Sequence, residues 1–199
     1  MKERFEWTQS WCDEAPSDDL PRVLLIGDSI TRQYQDRVRE LLRDKCYVDY
    51  FSSSYAVDFP IYQTLIKVFV GDSKYAVIHF NNGLHGFHVG KRTYKSRLKK
   101  LFKSFPEDSK VILANTTFVF KEGNIIPDEA WGKRVSERNA AIAELSEELG
   151  FSIDDLYSVS KTIDASGRSN DGTHYTEIGI NLLAAGVVKS ILEVLAADL

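Results

Sequence analysis

The sequence predicts a three-layer α/β/α sandwich on a five-stranded parallel sheet, and three observations carry that reading. Short aliphatic runs alternate with longer segments whose apolar residues recur every three or four positions. The runs themselves show no in–out alternation, as expected for strands covered on both faces. The 199 residues, 43% hydrophobic and 27% charged, suffice for one core, and no Pro/Gly/Ser-rich linker, repeat or low-complexity tract divides them.

The elements follow in order. Residues 1–20 read as an N-terminal arm ahead of a single core domain at 21–199. Arg22–Gly27 is the first strand, and from Ile30 the residues Ile30, Tyr34, Val38, Leu41 and Leu42 mark a helix. Cys46–Phe51 is the second strand, and Ile61–Gly71 is a short helix stopped by its glycine. Tyr75–Phe80 is the third strand, followed by a helix over Tyr94–Phe105. Lys110–Thr117 is the fourth strand, Asp128–Leu149 a long helix ended by Gly150, and Phe151–Val159 the fifth strand. In the last helix Ile178, Leu182, Ala185, Val188, Ile191 and Leu195 share one face. Right-handed crossovers between parallel strands place ligands beyond the strands' carboxyl ends. The search therefore narrows to the loops Gly27–Ser29, Ser52–Tyr55, Asn81–His88, Asn115–Thr117 and Asp164–Tyr175.

Composition removes several function classes. A net charge of −4 argues against nucleic-acid binding by phosphate neutralisation. The basic cluster Lys91–Lys103 reads as the solvated face of a helix whose apolar positions are Tyr94, Leu98, Leu101, Phe102 and Phe105. Cys12 and Cys46 form neither a disulfide framework nor a zinc-type spacing, so no metal is expected. The first 21 residues lack the apolar segment of a signal peptide, and no run approaches transmembrane length; a soluble cytoplasmic protein without membrane or nucleic-acid partners is expected. No phosphate-binding glycine motif is present, and the third strand ends in Asn81-Asn82 where a phospho-receiver would carry an aspartate.

Ser29 stands where the first strand meets its helix. A serine hydroxyl needs a base, an orienter for that base and donors for a developing oxyanion. The helix N-terminus supplies backbone N–H groups, yet serine is also a favoured N-cap. Four histidines could serve as base: His79, His85, His88 and His174. His79 lies inside a strand and reads as a core residue. His174 follows Asp171 by three positions in a glycine-bearing loop, so one carboxylate can reach its Nδ1 and leave Nε2 for a serine.

Gly27-Asp28-Ser29 together with Asp171-Gly172-Thr173-His174 resembles the first and last sequence blocks of the SGNH (GDSL-type) hydrolases. The resemblance spans about Arg22 to Leu195. It implies a flavodoxin-like sheet, no cofactor, and hydrolysis of a small acylated substrate through an acyl-serine, with Ser29, His174 and Asp171 as the triad. A short acyl group such as acetyl on a carbohydrate is the favoured substrate class, with an acyltransferase or a decayed ligand-binding module as alternatives. It also implies an oxyanion hole from the Ser29 N–H, a backbone N–H after the second strand and an asparagine after the third. The usual glycine of the second block is absent, which leaves the amide of Ser53 or Ser54. In the third block Asn81 is the first candidate, followed by Asn82 and His85. Asp28 is expected to brace the loop, and Asn115, Thr116 and Thr117 to cap a strand end. Trp7, Trp11 and Trp131 are expected to pack a terminal arm onto the domain rather than to form a sugar-stacking wall.

Overall fold

The structure, a computed structural model, describes residues 2–123 and 126–197. Its sheet has six strands in the order β1-β3-β2-β4-β5-β6: β1 (Thr8–Trp11), β2 (Arg22–Gly27), β3 (Tyr47–Ser53), β4 (Tyr75–Phe80), β5 (Lys110–Ala114) and β6 (Ser152–Asp154). The last five are parallel, as the α/β alternation requires. The sixth comes from the arm: β1 pairs antiparallel with β3, Thr8 opposite Ser53 and Trp11 opposite Tyr50. All four β1 residues are exposed, and an exposed polar segment carries no periodicity to read.

Among the described residues six α-helices cover the sheet: α1 (Ser29–Leu42), α2 (Pro60–Asp72), α3 (Lys91–Phe102), α4 (Glu129–Leu149), α5 (Leu156–Thr162) and α6 (Glu177–Ala196). Side chains alternate across the strands. Val23, Leu25, Val77 and Ile112 pack in the layer of α1 and α6, while Leu24, Ile26, Ile78 and Leu113 pack in the layer of α2, α3 and α4. All eight are buried, which explains why the strand sequences show no polar alternation.

Several boundaries differ from the expected ones, each for a local reason. α2 passes through Gly71 and ends at Asp72, since that glycine keeps helical geometry and Ser73 turns extended. β5 stops at Ala114, because the next residues spend their amides on Asp154 and Asn139. The fifth expected strand breaks after three residues. Asp155 accepts from the Ser158 amide and starts α5, so Leu156–Val159 are helical despite their strand-like composition. α4 begins one residue later than expected, with Asp128 as its N-cap, and closes as expected on Gly150, in the left-handed region at φ 70°.

α6 differs from the sequence reading in two respects. Its buried residues are Gly179, Leu183, Ala184, Val187 and Ile191, so of the six apolar residues read as sharing a face only Ile191 is buried, while Ile178 and Leu182 are exposed. The helix is apolar almost all round, and periodicity then cannot choose a face. It is also long and apolar enough to cross a membrane by length and composition, contrary to the expectation that no run approaches that size. The basic cluster of α3 is partly neutralised within the fold: Lys91 and Lys95 clasp Glu144, and Lys95 and Lys99 clasp Glu148 of α4. Those lysine hydrogen bonds draw the Glu144 carboxyl down to about 2.

Candidate active site

The loop after β2 is shaped by sterics. A Cβ on Gly27 would stand 1.9 Å from Thr31 Oγ1, so only glycine lets α1 start this close to the strand. Asp28, completely buried, is the N-cap: its Oδ1 accepts the Ile30 N–H at 3.0 Å. The cap is therefore Asp28 rather than Ser29. Ser29 becomes the first helical residue, and its hydroxyl is released from local capping. Its backbone N–H makes no hydrogen bond to the described residues, as is usual for a helix's first turn.

The hydroxyl finds its partner 145 residues away. Ser29 Oγ lies 2.8 Å from His174 Nε2. His174 Nδ1 lies 2.6 Å from Asp171 Oδ2, while Asp171 Oδ1 accepts the amides of Thr173 and His174 at 2.9 Å each. One carboxylate thus folds the loop with one oxygen and orients the imidazole with the other. A carboxylate beside Nδ1 keeps the proton there, so Nε2 presents a lone pair to the serine. Burial pushes the Asp171 carboxyl up, but the His174 amide and imidazole and the Thr173 amide outweigh it and hold it below its ordinary value. The turn depends on Gly172, at φ +75°, where a Cβ would meet the Phe120 carbonyl at 2.2 Å.

Gln33, one turn along α1 from Ser29, fixes the two halves of the site to each other. It donates to the Tyr175 carbonyl at 3.1 Å and accepts the Tyr175 amide at 3.2 Å. On the other flank of the helix Arg32 lies over the Trp7 ring, 4.5 Å from its centroid. Trp7 in turn is clamped to Ser54, whose Oγ accepts its N–H at 2.8 Å and whose own N–H reaches the Trp7 carbonyl at 3.1 Å.

That clamp bears on the expected oxyanion donors. The Ser54 N–H is spent on Trp7, and since successive strand amides point to opposite sides, the Ser53 N–H faces β2. The Asn81 amide nitrogen donates to the carbonyls of Ala114 and Asn115 at 3.0 and 3.2 Å, while its backbone N–H bonds the Ile26 carbonyl at 2.8 Å. Asn82 turns towards the Tyr55 carbonyl, and the His85 Nδ1 meets Glu3 Oε1 at 3.0 Å. Among the three, Asn81 alone is bonded to the residue before Gly27.

His79 is fully buried against Asp154 at 2.9 Å, a core pair, and His88 meets Asp58 at 3.0 Å. Asn115 receives the Tyr157 amide and Thr116 pairs with Asn139, so this strand end is capped. Trp11 lies under Arg39 on the arm, and Trp131 meets Phe87 edge to face with centroids 4.8 Å apart.

Sequence reasoning did not find Arg138. This α4 residue is 1% exposed and donates to the carbonyls of Gly83, His85 and Gly86. Burial pulls its guanidinium down, and Tyr94 stacks against it at 5.2 Å. The Gly83 carbonyl that it holds belongs to the same peptide as the Leu84 N–H, which points at Asp28 Oδ2 across a long 3.4 Å. A buried cation and a buried anion thus face each other through one peptide group. The signal was available: Val135, Arg138, Ile142 and Leu145 lie on the stripe of α4 that is otherwise apolar.

No protein-family model matches this sequence, and no curated protein is detectably similar to it. Solved structures are similar in fold. An acetyl xylan esterase variant from Geobacillus stearothermophilus superposes with a TM-score of 0.70 at 18% identity, covering 86% of this chain and 94% of its own. A lipase/acylhydrolase from Enterococcus faecalis gives 0.66 at 17% identity, covering 86% and 95%. A protein of Slackia heliotrinireducens described as an SGNH hydrolase gives 0.66 at 16%, covering 87% and 100%. The chain has the SGNH-hydrolase fold. Within that fold the GDS loop and the Asp171–His174 loop meet at the carboxyl edge of the parallel sheet, where open α/β sheets place their ligands.

Proposed function

We propose that the protein is a serine esterase that removes a short acyl group, acetyl foremost, from a small carbohydrate-type alcohol. The reading rests on one observation above all, the hydrogen-bonded series from Ser29 Oγ through His174 to Asp171. Likeness in fold to an acetyl xylan esterase supports the acyl and alcohol classes.

In this reading Ser29 Oγ attacks the ester carbonyl carbon as His174 Nε2 takes the hydroxyl proton. The tetrahedral intermediate collapses, the alcohol leaves with the proton from His174, and acyl-Ser29 remains. Water then adds to the acyl carbon, giving its proton to His174, and the acid departs as Ser29 is restored. The unbonded Ser29 N–H is the first oxyanion donor. Asn81 Nδ2 is the second, giving up its longer bond to the Asn115 carbonyl as the charge develops. Asn81→Ala is then expected to lower kcat by about 10²–10³-fold, a loss steady-state kinetics will register.

Fluorophosphonate labelling tests the nucleophile directly. Wild type should be labelled at Ser29 and should hydrolyse p-nitrophenyl acetate, and Ser29→Ala should do neither. A folded wild type that resists the probe would be a binding module instead, and preferential transfer to an added alcohol over water would make the protein an acyltransferase.

A further inference from the structure

The outer face of α6 carries a regular stripe of which five of six residues are exposed, the sixth, Leu192, being half-buried against the core. Ile178, Leu182, Ala185, Lys189, Leu192 and Ala196 follow one another at spacings of four, three, four, three and four residues. This is the heptad repeat by which one helix seats its side chains between those of another, and not the wider face that a helix lays on a sheet. Ile178 is 55% and Leu182 46% exposed, and Leu41 of α1, 38% exposed, forms the wall of a groove beside the stripe. Over an 18-residue window α6 has a mean hydropathy of 1.8, yet only 28% of that window is buried. Single exposed leucines are ordinary on a protein surface; Ile178 and Leu182, one turn apart and continued by Ala185 towards the Leu41 groove, form an aligned apolar strip.

We propose that this stripe is the seam of a symmetric dimer, α6 packing antiparallel against α6 of a second copy. The occupant follows from the order of residues in the stripe. Reversed on itself, the stripe sets Leu182 opposite Leu192, Ile178 opposite Ala196 and Ala185 opposite Lys189. Two of these three pairings join a large side chain to a small one. The lysine stem crosses the alanine, and its ammonium stays at the rim near Glu193 of its own chain, 3.8 Å away. A two-fold axis makes each contact twice, so a self-complementary stripe gains most from another copy of itself. A membrane surface fits worse. Interfacial helices line their polar rims with lysine and arginine, whereas Glu177 and Glu193 stand beside the one lysine here.

The size of the contact sets its strength. Twenty residues of helix extend for about 30 Å, and a contact strip as wide as the helix, roughly 12 Å, buries about 700 Å² over both copies. That area lies below the range of stable, specific interfaces, so the dimer should be weak and reversible.

Sedimentation velocity across a wide concentration range tests the seam, beside p-nitrophenyl acetate turnover and a thermal melt. Wild type should shift from the 22.6 kDa monomer towards twice that mass as concentration rises. Leu182→Glu and Ala185→Glu should remain monomeric, melt as wild type does and keep their turnover per chain, because neither side chain meets the core. A wild type that stays monomeric at several hundred micromolar overturns the proposal. So does a dimer that survives both substitutions. Loss of monomer only onto phosphatidylcholine–phosphatidylglycerol vesicles, with none in solution, assigns the stripe to lipid and overturns it equally.

Discussion

Asp171→Asn should lower kcat by about 10⁴-fold while leaving the loop in place. The asparagine keeps an oxygen for the amides of Thr173 and His174, which Asp171 Oδ1 now accepts at 2.9 Å each. It replaces Oδ2, however, with an NH₂ group facing His174 Nδ1. The imidazole proton must then move to Nε2, and a donor rather than an acceptor faces Ser29 Oγ. The thermal midpoint near neutral pH separates this outcome from simple unfolding, since a collapsed loop would lower both quantities. Acid has a related effect. The Asp171 carboxyl titrates below its ordinary value in the folded protein, so its stabilising contribution is complete above the unfolded carboxylate range and disappears as pH falls through the lowered folded value. An Asp171→Asn protein with near wild-type turnover would remove His174 from the role of base.

Arg138→Met is expected to cost stability first, by about 3–5 kcal/mol in urea denaturation. The substitution leaves three buried carbonyls short of a donor and removes the cation that faces Asp28 through the Gly83–Leu84 peptide. Because Asp28 is itself completely buried, part of that cost is its uncompensated charge. Asp28→Asn in the same chain should recover part of the loss, giving a double variant less damaged than the sum of the singles. Strict additivity would mean that the two charges do not sense each other. Turnover of the folded fraction should fall as well, since Arg138 sets the loop that follows Asn81.

The readable parts of this chain were those with a local cause. Alternating aliphatic and amphipathic segments specify parallel strands and crossovers whatever lies elsewhere, and Asp171 and His174 assemble within one turn. The unread parts depended on distant partners. β1 is polar and exposed and becomes a strand only because β3 offers an edge. Leu156–Val159 has the composition of a strand, yet the Asp155 cap and the Asn115 side chain, which takes the Tyr157 amide, start a helix there. The amide groups of Asn81 and Asn82 were visible as polar residues at the right edge, but where they turn depends on the ends of β5 and β3. Arg138 stood in an apolar stripe, and a lone charge there marks a buried carbonyl cage as well as a surface position.

The arm strand has a consequence for handling the protein. Without Thr8–Trp11 the outer ladder of the seven-residue β3 would be unpaired, and a long free ladder is a template on which other chains add strands. With it, the sheet is bordered by strands of four and three residues, both too short to recruit a neighbour efficiently. Trimming the chain up to Trp11 would thus keep the Ser29–His174 pair and yet yield a protein prone to aggregate, while also releasing the Ser54 N–H and Arg32 from Trp7.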